Sequence, residues 1–158
     1  MTSFQPSVYL RTSLLADAAA SGATGLLMIA GAGLLEGWLG LPAALLQTAG
    51  LILVPYVMFV IFAGTREGLV PAMVWTVIVA NVLWTAASLL LLVGGWVAPT
   101  LLGYAFVIGQ ALVVALFGEL QYMGLRRGLR GPIATASRSK LAVTARPGPG
   151  AACPGPLF

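Results

Sequence analysis

The sequence predicts an all-α integral membrane four-helix bundle with both termini cytoplasmic. Three observations carry that prediction. First, only 8% of the 158 residues are charged while 59% are apolar, and the mean hydropathy is +1.00. Soluble domains carry roughly 25% charged residues, so the composition excludes a disordered chain, a soluble enzyme domain and an ordinary nucleic-acid binder. Second, four apolar stretches each approach the ~20 residues that cross a ~30 Å hydrocarbon core. Third, the basic residues all fall where they can share one side of a bilayer.

Residues 1–12 form a cytoplasmic N-terminal segment, and 13–125 form the bundle. Span one, about 13–35, is interrupted by Asp17, Ser21 and Thr24. Spans two, three and four run about 42–64, 71–94 and 99–125. Pro42, Pro71 and Pro99 open these three, where a missing backbone N–H costs nothing. Gly64, Gly94 and Gly95 suit helix ends. Pro55 inside span two frees the carbonyl of Leu51 and favours a kink; Tyr56 beside it fills that gap or simply packs.

Arg11 precedes span one, Arg66 lies between spans two and three, and the remaining basic residues follow span four. This is the positive-inside pattern for a chain with both ends in the cytoplasm. The opposite loops hold Glu36, Trp38 and Trp96 and no Lys or Arg, and the tryptophans fit an interfacial aromatic belt. The turns Trp38-Leu-Gly-Leu-Pro42 and Trp96-Val-Ala-Pro99 occupy equivalent places in two hairpins, which is either a faint duplication or convergence on a common membrane-entry turn.

From Arg126 the chain becomes basic and rich in Gly and Pro, and 126–158 reads as a disordered cytoplasmic tail. Its basic residues either contact anionic lipid or act only as a topology determinant. It has neither the organised basic face nor the aromatics of a nucleic-acid binder. With no histidine and Cys153 as the single cysteine, the chain offers no metal site, haem or iron–sulfur ligand set, no Cys-x-x-Cys centre and no Ser-His-Asp triad. No cofactor and no catalytic residue is expected, and the chain reads as a non-enzyme.

Polar residues inside the spans therefore carry most of the functional information. Ser13, Asp17, Ser21 and Thr24 form one helical stripe; Asn81, Thr85 and Ser88 form another. Packed face to face they would make a discontinuous polar track; alternatively they are interhelical hydrogen-bonding glue, worth ~0.6 kcal/mol per bond on average. Ala20, Gly22, Gly25 and Gly33 leave room for close helix approach. Asp17 and Glu119 lie at similar depth from the cytoplasmic side. They either share a layer and a proton or go separately to water or arginine. On span four, Gln110 and Gln121 share a face opposite Glu119. The two glutamines are candidates to face a partner, either a second copy or another membrane protein.

The pieces Leu14-Leu-Ala-Asp-Ala18, Ser21-Gly-Ala-Thr-Gly-Leu26, Trp96-Val-Ala-Pro99 and Glu119-Leu-Gln-Tyr-Met-Gly-Leu-Arg-Arg127 resemble small bacterial four-span inner-membrane proteins of unassigned function. In layout the chain is also similar to the DoxX-like four-helix group. The first resemblance implies a bacterial inner membrane, and the second implies quinone-linked chemistry. The leading functional expectation is an accessory or assembly component acting through helix-face contacts. The alternatives are a small proton-coupled carrier using Asp17, Glu119 and Asn81, and a DoxX-like quinone-linked protein.

Overall fold

The computed structural model describes residues 7–144, with side chains described through residue 128. The described chain is all-helical: α1 (Val8–Ala30), α2 (Ala32–Leu39), α3 (Ala43–Thr65), α4 (Pro71–Val93) and α5 (Leu101–Thr144). Val8–Ala30, Ala43–Thr65, Pro71–Val93 and Leu101–Gly128 are each long and apolar enough to cross a membrane. Their outward faces carry large apolar side chains throughout, among them Leu26, Leu51, Met58, Leu83 and Leu112. Such a surface suits lipid as solvent and is a liability in water.

Span one starts and ends five residues earlier than its hydropathy suggests. It begins at Val8, where the Ser7 hydroxyl caps the helix by accepting from the Leu10 N–H at 3.3 Å. It breaks at Gly31 and resumes as the short α2. Arg11 therefore lies inside the first helix, not before it. Its Nε donates to the Gly64 carbonyl at 2.8 Å and a terminal nitrogen donates to Thr65 at 2.9 Å. A cation thus closes the carbonyl end of α3, where the helix dipole favours positive charge. Helix α3 passes through Pro55 as one element.

The last helix also departs from expectation. It continues to Thr144, so the segment from Arg126, read from composition as an unstructured tail, begins as helix. Residues 133–144 contain neither Gly nor Pro, and a helix already nucleated upstream adds such residues at little cost. Cys153, Arg146 and the rest of 145–158 lie outside the described residues, as do the side chains of Arg130, Arg138 and Lys140.

The helices associate as two close pairs. α1 lies along α3, and α4 lies along α5; the pairs join chiefly through α1 and α5, while α3 and α4 scarcely touch. The α1–α3 crossing is tight because Gly25 meets Gly50. A Cβ on Gly50 would stand 2.9 Å from the Gly25 carbonyl and 2.7 Å from the Ile29 side chain. Small residues permit this approach, and dispersion at close range replaces the hydrophobic drive that lipid removes. Gly33 has no neighbour near its Cβ position, so it makes no such crossing.

The Trp38–Pro42 and Trp96–Pro99 turns meet at one end of the bundle. The Thr100 N–H donates to the Leu39 carbonyl at 2.9 Å, and its hydroxyl donates to the Trp38 carbonyl at 2.6 Å. The turn of the second hairpin thereby satisfies carbonyls at the end of α2 that have no partner within their helix. Gly40 turns the chain there with φ 65°, and a Cβ on it would lie 2.7 Å from the Ala98 carbonyl. The other end holds Arg11, Arg66 over the Phe62 ring, Arg126 over Tyr122 and Arg127 over Tyr9.

Candidate functional site

Each of the four long helices sends one polar side chain to a common point in the core. Asp17 comes from α1, Tyr56 from α3, Asn81 from α4 and Gln121 from α5. Asp17 and Gln121 are fully buried and Asn81 is 2% exposed. Asp17 is the acceptor at the centre. Its Oδ2 lies 2.7 Å from the Tyr56 hydroxyl, 2.7 Å from Gln121 Nε2 and 3.1 Å from Asn81 Nδ2. Its Oδ1 accepts from the Ser21 hydroxyl one turn along α1 at 3.1 Å. Asn81 Nδ2 also donates to Gln121 Oε1 at 3.2 Å, and its Oδ1 lies 2.6 Å from the Tyr56 oxygen. No buried side-chain nitrogen or oxygen among the described residues lacks a partner.

The structure thus joins three of the sequence candidates, Asp17, Ser21 and Asn81, and leaves others apart. The Ser13, Thr85 and Ser88 hydroxyls donate to the carbonyls of Tyr9, Asn81 and Trp84, one turn back on their own helices. Thr24 is half-buried and lines a cavity of about 120 Å³ with Ser21 and Gln110. Glu119 is exposed on the outer face of α5 and makes no salt bridge or side-chain hydrogen bond among the described residues. It lines a groove of about 630 Å³ beside α4 together with Asn81 and Tyr122. No hydrogen bond links it to Asp17.

Gln121 corrects the sequence reading. Its spacing from Gln110 made it a candidate to face a partner, yet it is fully buried and bonded to Asp17. Glu119 and Gln121 project about 200° apart on the helix, so one must face inward. The amide enters because it can donate to the Asp17 carboxyl and accept from Asn81 at once; a second carboxylate there would face Asp17 with no donor between them. Tyr56 is the residue that the sequence left ambiguous. Its ring packs between the two apolar clusters of the core, and its hydroxyl completes the hub. The signal available was its position ten residues before Arg66, the same half of the bundle as Asp17.

Two surroundings differ sharply. Toward the arginine end the hub packs against Leu10, Leu14, Val60, Leu69, Val74 and Leu125, each at most 1% exposed. Between α3 and α4 it adjoins a cleft of about 440 Å³ with Tyr56, Asn81 and Ser21 among otherwise apolar walls. Fold and site together define a membrane-type four-helix bundle with a carboxyl-centred polar hub. No family model matches the chain, and no curated protein or solved structure matches it either.

Proposed function

We propose that this chain is a multi-pass protein of a bacterial inner membrane, with both termini in the cytoplasm. It acts as a non-enzymatic accessory or assembly component through its helix faces. Clustering of Arg11, Arg66, Arg126 and Arg127 at one end supports the orientation. The observation that carries the functional reading is Glu119. The other polar groups at its depth are consumed inside the bundle, whereas this carboxyl stands on a face otherwise solvated by lipid. A charged side chain costs ~2.5–3.5 kcal/mol at the centre of a membrane helix, less toward the interface, and a partner with opposite charge offsets that cost.

The α4–α5 groove beside Glu119 takes one transmembrane helix of a partner protein, with a Lys or Arg on that helix facing Glu119. Its apolar walls include Ile78, Val82, Leu89 and Leu116. A photo-crosslinker at Leu116, followed by native mass spectrometry after lipid-preserving extraction, tests this. The expected result is one stoichiometric partner, lost in Glu119→Lys and regained when the partner's cation is changed to Glu. A partner-free monomer, or crosslinks only to a second copy, would overturn the reading.

The α3–α4 cleft favours a second reading. Apolar walls around a few convergent polar groups suit the head of a membrane-dissolved amphiphile, which is where a DoxX-like quinone-linked role would lie. Quinone retained through lipid-preserving purification supports it, and its absence counts against it. The proton-coupled carrier has less support, because Asp17 and Glu119 share no hydrogen bond.

A further inference from the structure

Counting protons in the hub exposes a shortage. Tyr56 has one phenolic proton, yet its oxygen lies 2.7 Å from Asp17 Oδ2 and 2.6 Å from Asn81 Oδ1. If Asp17 is an ionised carboxylate, both neighbours are acceptors, and one of these short oxygen pairs holds no proton. Turning the amides does not remedy this. With Asn81 reversed, its oxygen faces both Asp17 Oδ2 and Gln121 Oε1. With Gln121 reversed, its oxygen faces Asp17 Oδ2 at 2.7 Å and its nitrogen faces that of Asn81. With both reversed, two amide oxygens face the carboxylate.

One additional proton closes the network in the orientation observed. Placed on Asp17 Oδ2, it is donated to the Tyr56 oxygen, and the Tyr56 proton is donated to Asn81 Oδ1. The bonds from Asn81, Gln121 and Ser21 to Asp17 remain. No cation offers an alternative remedy. Arg11, on the same helix, is turned to the α3 carbonyls, and Arg126 lies over Tyr122. From α3, α4 and α5 the groups that touch Asp17 are Tyr56, Asn81 and Gln121, and Glu119 is on the far face of α5.

We propose that Asp17 is a proton-binding site, held as a carboxylic acid by this hub. Toward the arginines the Leu10, Leu14, Leu69 and Leu125 layer packs against it, while the groove beside Glu119 reaches Asn81. On the other side Ser21 lines a cavity of about 120 Å³ with Thr24 and Gln110, and Gln110 lines the next, of about 220 Å³, with Thr48 and Ser88. Both are roomy enough for water, which needs ~10–15 Å³ and two or more polar partners. Water held there gives the Asp17 proton an exit by way of Ser21.

Asp17 is the only aspartate in the chain, so the wild-type protein can report on it alone. The full chain, made by cell-free synthesis with carboxyl-¹³C aspartate and inserted in one orientation into liposomes, is read by solid-state NMR or infrared spectroscopy. At neutral pH the expected signal is that of a carboxylic acid. A carboxylate signal at neutral pH overturns the proton-binding site.

Discussion

Replacing Gln121 by Leu separates two accounts of the hub by magnitude. Gln121 is fully buried and makes two bonds, Nε2 to Asp17 at 2.7 Å and Oε1 from Asn81 at 3.2 Å. Leucine fills similar space, so the change is chiefly loss of those bonds. Interhelical hydrogen bonds in membranes average ~0.6 kcal/mol and reach ~1.7, so two between neutral groups predict a loss of about 1–2 kcal/mol. If Asp17 were ionised, the variant would strip its shortest amide donor from a buried charge, and losses of that kind run to ~3–5 kcal/mol. Reversible unfolding in mixed micelles, or steric trapping in bicelles, measures the difference. The control is Ser88→Ala, whose hydroxyl serves only its own helix; its expected effect is near zero. A loss above about 3 kcal/mol would refute the neutral carboxyl on this scale. No loss at all would mean that the hub does not hold α5.

Three further outcomes follow from the geometry. Gly50→Val would drive its Cβ against Ile29 and the Gly25 carbonyl, and overpacking of this kind costs about 1–3 kcal/mol; unfolding of the variant measures it, and an unchanged stability would deny the close α1–α3 crossing. Gly103→Ala places a methyl on the Leu39 carbonyl, and Thr100→Val removes the bond to Trp38; both should speed amide exchange at 38–41 and 100–103, the glycine variant more. Tyr56→Phe removes the hydroxyl that bridges Asp17 and Asn81 across the α3–α4 cleft. Spin labels at Ile52 and Leu83 should move apart, and an unchanged distance would show that the cleft is set by packing alone.

The spans were legible because hydropathy and length are constrained by the bilayer itself, and because Pro71 and Gly94 mark the ends of α4 by backbone chemistry that is independent of neighbours. Asp17, Ser21 and Asn81 were legible as candidates because a polar group in an apolar run must find a partner. Which partner is a question of helix rotation, and rotation is weakly encoded when every helix is apolar nearly all round. Glu119 and Gln121 illustrate this: both faces of α5 are polar at one depth, and only contact with Asp17 chooses between them. Tyr56 was harder to place, since tyrosine is common at membrane interfaces and in cores alike. The extension of α5 to Thr144 escaped a reading based on composition, because scattered Gly and Pro obscure the uninterrupted stretch at 133–144.

The two helix pairs depend on the hub in different degrees. Within each pair, close contact runs the length of the helices and needs no polar group to hold it; Gly25 against Gly50 is the clearest instance. Between pairs, apolar side chains gain nothing by leaving lipid for one another, so a seam without tight packing needs directional bonds. Asp17 and Gln121 supply such a bond across the α1–α5 seam, and Tyr56 with Asn81 supplies one across α3–α4, where little else connects the helices. A single carboxyl placed where all four spans converge therefore ties two self-sufficient hairpins into one bundle. It also makes the weakest seam the one whose closure depends on how the hub's protons are shared.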